Sequence, residues 1–177
     1  MRRLQLVCAC AVLLLANAAA EQQKPAAQPL TDVTRAAWYN IKDLVLASAT
    51  KVPEEHYAFQ PTRDVRTFGQ IVGHLANEHY LLCGAVTGRK APDTDFAKVA
   101  AKADLLKALQ ESVAVCDMGY SLLSDDNAGF SYKVFGTTYS RLRLLTLNVT
   151  HDSEHYGNLV TYMRLKGIVP PSTASAR

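Results

Sequence analysis

Residues 139–166 read YSRLRLLTLNVTHDSEHYGNLVTYMRLK. The stretch holds no proline, and Leu144, Leu147, His151, His155, Leu159 and Tyr162 recur at steps of three and four. That period predicts a long α-helix from Tyr139 to Lys166 with a single inward stripe. Arg164 and Lys166 stand in its last turn, Gly167 is the expected C′ residue, and Pro170 and Pro171 enforce the stop. A helix of this length with one apolar stripe has to lie against other helices.

Three more helices are predicted upstream. The first runs from about Thr31 to Ala49, capped by Thr31 or Asp32, with Trp38, Ile41, Val45 and Ser48 facing inward. The second spans about Phe68 to Val86, opened by the capping-box pair Thr67 and Gln70 and closed by Gly88. Its Gly69 and Gly73 share a face and point to close contact with another helix. The third runs from about Asp104 to Leu123, with Leu105, Leu109, Val113, Cys116 and Tyr120 in register. Between helices lie Val52–Asp64, Arg89–Ala100 and Ser124–Thr137. In the last of these, Phe130, Tyr132, Val134 and Phe135 suggest a short hairpin, long enough to act as a lid. The fold class is therefore all-α, a four-helix bundle over residues 31–171 with long crossover connections.

The N-terminus reads differently. Arg2 and Arg3 precede an unbroken apolar run from Leu6 to Ala16, and Ala18-Ala19-Ala20 fits a cleavage site. This is the pattern of a secretory signal peptide over residues 1–20, too short to span a bilayer, so a secreted or periplasmic location is expected. A lipoprotein acylated at Cys8 or Cys10 has too little apolar chain before the cysteine. Residues 21–30 form a polar lead-in, and 172–177 a small polar tail that should fray.

Cleavage leaves 157 residues and lowers the net charge from +3 to +1. So small a surplus argues against a nucleic-acid partner. No apolar run of membrane-spanning length follows the signal, so an integral membrane protein is not expected. Two cysteines remain, Cys83 and Cys116, either paired in an oxidising compartment or buried as thiols.

Chemistry is concentrated in histidines. His151 and His155 are one helical turn apart and can reach one metal ion together. A His-x-x-x-His pair alone is commonly a surface pair or a satisfied core pair. Here the shared apolar stripe turns both rings inward, where unpartnered imidazoles are costly. The second helix offers His74 beside Ile71, Val72 and Leu75. One histidine plus such a pair makes three nitrogen ligands with a position left open, the pattern of a catalytic rather than a structural site.

Glu78, four residues past His74, shares its face and is the candidate general base, fourth ligand or supporting partner. Asn148 can orient His151. The sequon at Asn148-Val149-Thr150 lies mid-helix and is discounted. Asp152 and Glu154, off the stripe, should be exposed. His79 should lie away from the site, Cys83 should point away from it, and His56 should be a surface residue. No glycine-rich phosphate loop, nucleophile elbow or paired-cysteine zinc motif is present.

The stretches Arg66-Thr67-Phe68-Gly69-Gln70-Ile71-Val72-Gly73-His74-Leu75-Ala76, His151-Asp152-Ser153-Glu154-His155-Tyr156-Gly157-Asn158-Leu159-Val160 and Gly167-Ile168-Val169-Pro170-Pro171 resemble the DinB-like superfamily of metal-binding bundles. The resemblance spans about Thr31 to Ser172. It implies a divalent metal, zinc or nickel, held by His74, His151 and His155, and a tendency to dimerise. Members act as thiol-dependent transferases or metal-dependent hydrolases. A signal peptide sets this chain apart from members inside the cell, where reduced thiol cosubstrates are concentrated.

Three readings follow. The first is an exported metal-dependent hydrolase or thiol transferase acting on an unidentified small molecule, with the segment Ser124–Thr137 as an apolar wall. The second is a non-catalytic metal- or ligand-binding protein of the envelope. The third is a bundle with core histidines and no metal.

Overall fold

The computed structural model describes residues 29–174; the expected signal peptide, most of the lead-in and residues 175–177 lie outside that range. Helix α1 is Pro29–Lys51, α2 Phe68–Thr87, α3 Lys102–Ser121 and α4 Arg141–Leu165. Strands β1 (Ser131–Val134) and β2 (Thr137–Ser140) form a hairpin before α4, and a short α5 (Pro171–Ala174) closes the described chain. Short 3-10 turns at Glu54–His56 and Phe96–Lys98 punctuate the first two connections.

α1 packs on α3 and α4, and α2 packs on α3 and α4. Successive helices α1 and α2 thus occupy opposite corners, as do α3 and α4. The first and third connections therefore have to cross the bundle.

The helix ends follow their residues. Thr67 accepts a hydrogen bond from the Gln70 amide at 3.1 Å, and the Gln70 side chain accepts from the Thr67 amide at 2.9 Å. This capping box stabilises the N-terminus of α2 by roughly 1 kcal/mol. At the far end of α4, Gly167 takes a φ of 70°, Ile168 N–H donates to Met163 and Gly167 N–H to Arg164. These two bonds make a Schellman motif.

Four expectations need correction. α4 begins at Arg141 rather than Tyr139, because Tyr139 pairs with Tyr132 in the hairpin and Ser140 caps the helix through the Arg143 amide. The tail does not simply fray: residues 171–174 make one helical turn, tied down where the Tyr156 hydroxyl donates to Ser172 Oγ at 2.8 Å. Leu147, expected inward, is 38% exposed. Gly73 is close not to a helix but to the α2–α3 connection: a Cβ there would lie 2.2 Å from the Phe96 carbonyl oxygen. That connection therefore sits down onto α2 directly beside His74.

The core is continuous. Trp38 of α1 stacks on Tyr120 of α3 at 4.8 Å, and its indole N–H donates to Asp117 at 2.7 Å. Leu75, Leu109, Leu144, Leu145 and Leu159 are fully buried around them. Cys83 and Cys116 are joined as a disulfide that ties α2 to α3, which resolves the alternative left open above. No helix among the described residues is long and apolar enough to cross a membrane.

Candidate metal centre

His74 comes from α2, and His151 and His155 from adjacent turns of α4. The structure brings the three together: one ligand atom from each falls within 4.8 Å of the others. Their ring centroids are 4.5–4.9 Å apart. The Nε2 atoms of His74 and His151 face each other at 3.1 Å. Two nitrogens on one tetrahedral ion at the usual bond lengths stand roughly 3.3 Å apart, so this spacing suits a shared ion.

The donor chemistry fits as well. Burial, then the Arg66 guanidinium, then the two neighbouring imidazoles push His74 down to about 4. Burial and His151 push His155 down too, with Glu154 partly opposing. Metal binding requires neutral imidazoles, and these environments keep them neutral at neutral pH. Among the described residues, His151 Nδ1 is the one buried side-chain polar atom left without a partner. Asn158 lies 3.3 Å from His155 Nδ1 and can fix that ring's orientation.

The geometry of α4 explains why these rings are accessible. At about 100° per residue, the centre of its buried arc runs through Asn148, Asp152 and Leu159. His155 is just off that centre, His151 further, and Asn158 and Glu154 further still. His155 therefore stands where core gives way to a cleft of about 590 Å³, with His74 and His151 grouped behind it. The cleft is lined by Arg63, Asp64, Val65, Arg66, Gln70, Ile71, Glu154, His155, Asn158 and Tyr162. None of its lining comes from the hairpin segment among the described residues, so the expected lid and apolar wall are not at this cleft.

Glu78 is half-buried one turn beyond His74 and is not one of the grouped ligands. Asn148 does not orient His151; its side-chain amide donates to the Tyr120 hydroxyl at 3.2 Å. Asp152, expected to be exposed, is fully buried, with both oxygens 3.0–3.1 Å from His79 Nε2. Ser112 Oγ meets the other ring nitrogen of His79 at 2.9 Å. α4 packs on both α1 and α2, so it buries a wider arc than one stripe. Glu154 is exposed as expected. His56 is half-buried in the first connection and is not part of the cluster.

Sequence reasoning missed the arginines of the cleft. They lie in an aperiodic loop, and only their nearness to the capping box at Thr67 signals that they are held beside α2.

The family model described as the DinB superfamily matches residues 34–159. No curated protein matches the chain by sequence. Among solved structures, a DinB-like protein from Bacillus cereus is similar at 15% identity and a TM-score of 0.64, over 79% of this chain and 95% of that one. A DinB-like protein from Bacillus subtilis is similar at 20% identity and a TM-score of 0.58, over 76% and 92%. A mycothiol-dependent maleylpyruvate isomerase is similar at 15% identity and a TM-score of 0.59, over 73% of this chain and 60% of that one. At these identities the likeness is one of fold.

Proposed function

The chain belongs to the DinB superfamily, and from that premise we propose that it is an exported enzyme that uses a divalent metal, zinc or nickel, to act on a small molecule. The observation that carries this reading is three imidazoles grouped within 4.8 Å, one of which, His155, lines an open cleft. His74, His151 and His155 would hold the ion. When bound, it would supply Lewis-acid polarisation of a substrate oxygen or sulfur. Asn158 would hold the His155 ring, and the cleft would admit substrate from one side. Glu78 would serve as the general base, with Glu154, on the cleft lining, as the competing carboxylate.

Hydrolysis is the favoured reaction over thiol transfer. The signal-like N-terminus and the buried Cys83–Cys116 disulfide both support an oxidising compartment, secreted or periplasmic, where reduced thiol cosubstrates are scarce. The dimer that the family resemblance implies is part of the same proposal, and sedimentation of the purified chain tests it.

The deciding experiment is metal content by mass spectrometry on protein purified without chelator. About one zinc or nickel per chain is expected, lost in His151→Ala with helical content retained. A wild-type chain that holds no metal, even after re-addition, would sink the proposal. With a substrate found by screening ester, amide and lactone libraries, Glu78→Gln should lower kcat by about 10²–10⁴. An equal loss in Glu154→Gln alone would move the base to that residue. A loaded chain that turns over nothing in the screen supports the non-catalytic envelope binder instead.

A further inference from the structure

The cleft beside His155 carries charge for which the metal ligands have no use. Arg63 and Arg66 both line it. Arg66 is held from two sides: the Tyr162 hydroxyl donates to its carbonyl at 2.8 Å, and the next residue, Thr67, caps α2. Asp64 and Glu154 line the same cleft. Neither forms an ion pair with either arginine among the described residues.

Arg63 and Arg66 are both exposed, and what sets them apart is that they line one concave site together with carboxylates and pair with neither, which leaves their donors free for another acceptor. A guanidinium presents a fixed fork of N–H groups that matches a carboxylate in two parallel bonds.

We infer that the cleft selects small organic carboxylates, the substrate's anionic end docking on Arg66 with Arg63 beside it and its reacting group directed toward His155. This rests on the proposed metal-dependent reading and names its substrate class. The volume suits a small molecule. Polar and charged walls disfavour a long apolar chain, whose burial they cannot reward.

The test uses the full chain, nitrogen-15 labelled, at low ionic strength, with pentanoate and its uncharged amide, pentanamide, as probes. In metal-free protein, pentanoate is expected to shift the amides of Arg66, Gln70 and Asn158 and to bind about tenfold more tightly than pentanamide. Arg66→Gln should erase that preference while holding zinc no more weakly than wild type. Equal binding of the two probes would overturn the inference. So would a preference that survives in Arg66→Gln, or one that appears only after zinc is added, since the metal would then be holding the carboxylate. A chain that binds no zinc yet keeps an Arg66-dependent preference defeats the metal reading and leaves the carboxylate site standing.

Discussion

The same two helices, α2 and α4, hold two histidine sites of opposite character. On one side His74, His151 and His155 face each other with no carboxylate hydrogen-bonded to them, beside an open cleft. On the other, His79 is sealed in the core between Asp152 and Ser112, with the edge of its ring on Trp38 at 5.5 Å. A buried imidazole with a full set of partners is a structural device: it satisfies polar groups and fixes the register of α2 against α3 and α4. Three imidazoles whose nitrogens point at one another satisfy one another poorly and leave His151 Nδ1 orphaned. The fold keeps an arrangement that is poor for stability, and such exceptions gather where function is.

The sharpest way to break the comparison is to delete one member of each site. Asp152→Ala strips the buried partner from His79 and should destabilise the chain by roughly 3–5 kcal/mol. His151→Ala removes a ring that is only half-buried and an unsatisfied nitrogen. In metal-free protein it should change stability by about 1 kcal/mol or less while abolishing the site's metal binding. Urea unfolding of both variants in chelator, with metal titration of each, decides the matter. If His151→Ala proves the more destabilising in chelator, the two sites do not divide into structural and functional.

The disulfide belongs to the sealed side: Cys83 is one turn beyond His79, and Cys116 one turn beyond Ser112. Closing a loop with a sequence separation of 33 restrains the unfolded chain by about 3–4 kcal/mol in the loop-entropy view. The double variant Cys83→Ala with Cys116→Ala should lose stability of that order, read by thermal unfolding. Its zinc affinity should stay within about threefold of wild type, since His74 and Cys83 lie on different faces of α2. A large loss of metal affinity would show that the two regions are coupled.

What was legible in the sequence follows the same division. The three-histidine cluster could be read because His151 and His155 stand one helical turn apart, His74 sits among the apolar residues of a second helix, and those two helices carry the whole of it. The sealed site could not. Asp152 is about 100° from His151, outside a single inward stripe, and it becomes interior only because α4 is flanked by both α1 and α2. Pairing of Cys83 with Cys116 likewise depends on α2 lying against α3, which a crossover topology decides and local period does not. The caps at Thr67, Gly88 and Gly167 were legible because each is a local hydrogen-bonding rule. Arg63 and Arg66 acquire meaning only once the loop that carries them is laid along the cleft.

The smallest effect is on pH, and it sharpens the comparison at the open site. In metal-free protein His74 has its proton affinity lowered to about 4 from an ordinary 6.5, chiefly by burial, and His155 is shifted the same way. Between those values the unfolded chain binds protons that the folded chain does not. Stability from these groups is therefore fully present above about 6.5 and falls as the pH drops toward 4, below which the loss levels off. Wild type in chelator should show this decline, and His74→Ala should flatten part of it. Bound metal should steepen it, because protons and the ion compete for the same nitrogens. A wild-type chain whose unfolding midpoint is unchanged from pH 7 to pH 4.5, with or without zinc, would show that His74 and His155 are not held neutral by burial and that the cluster is not committed to a metal.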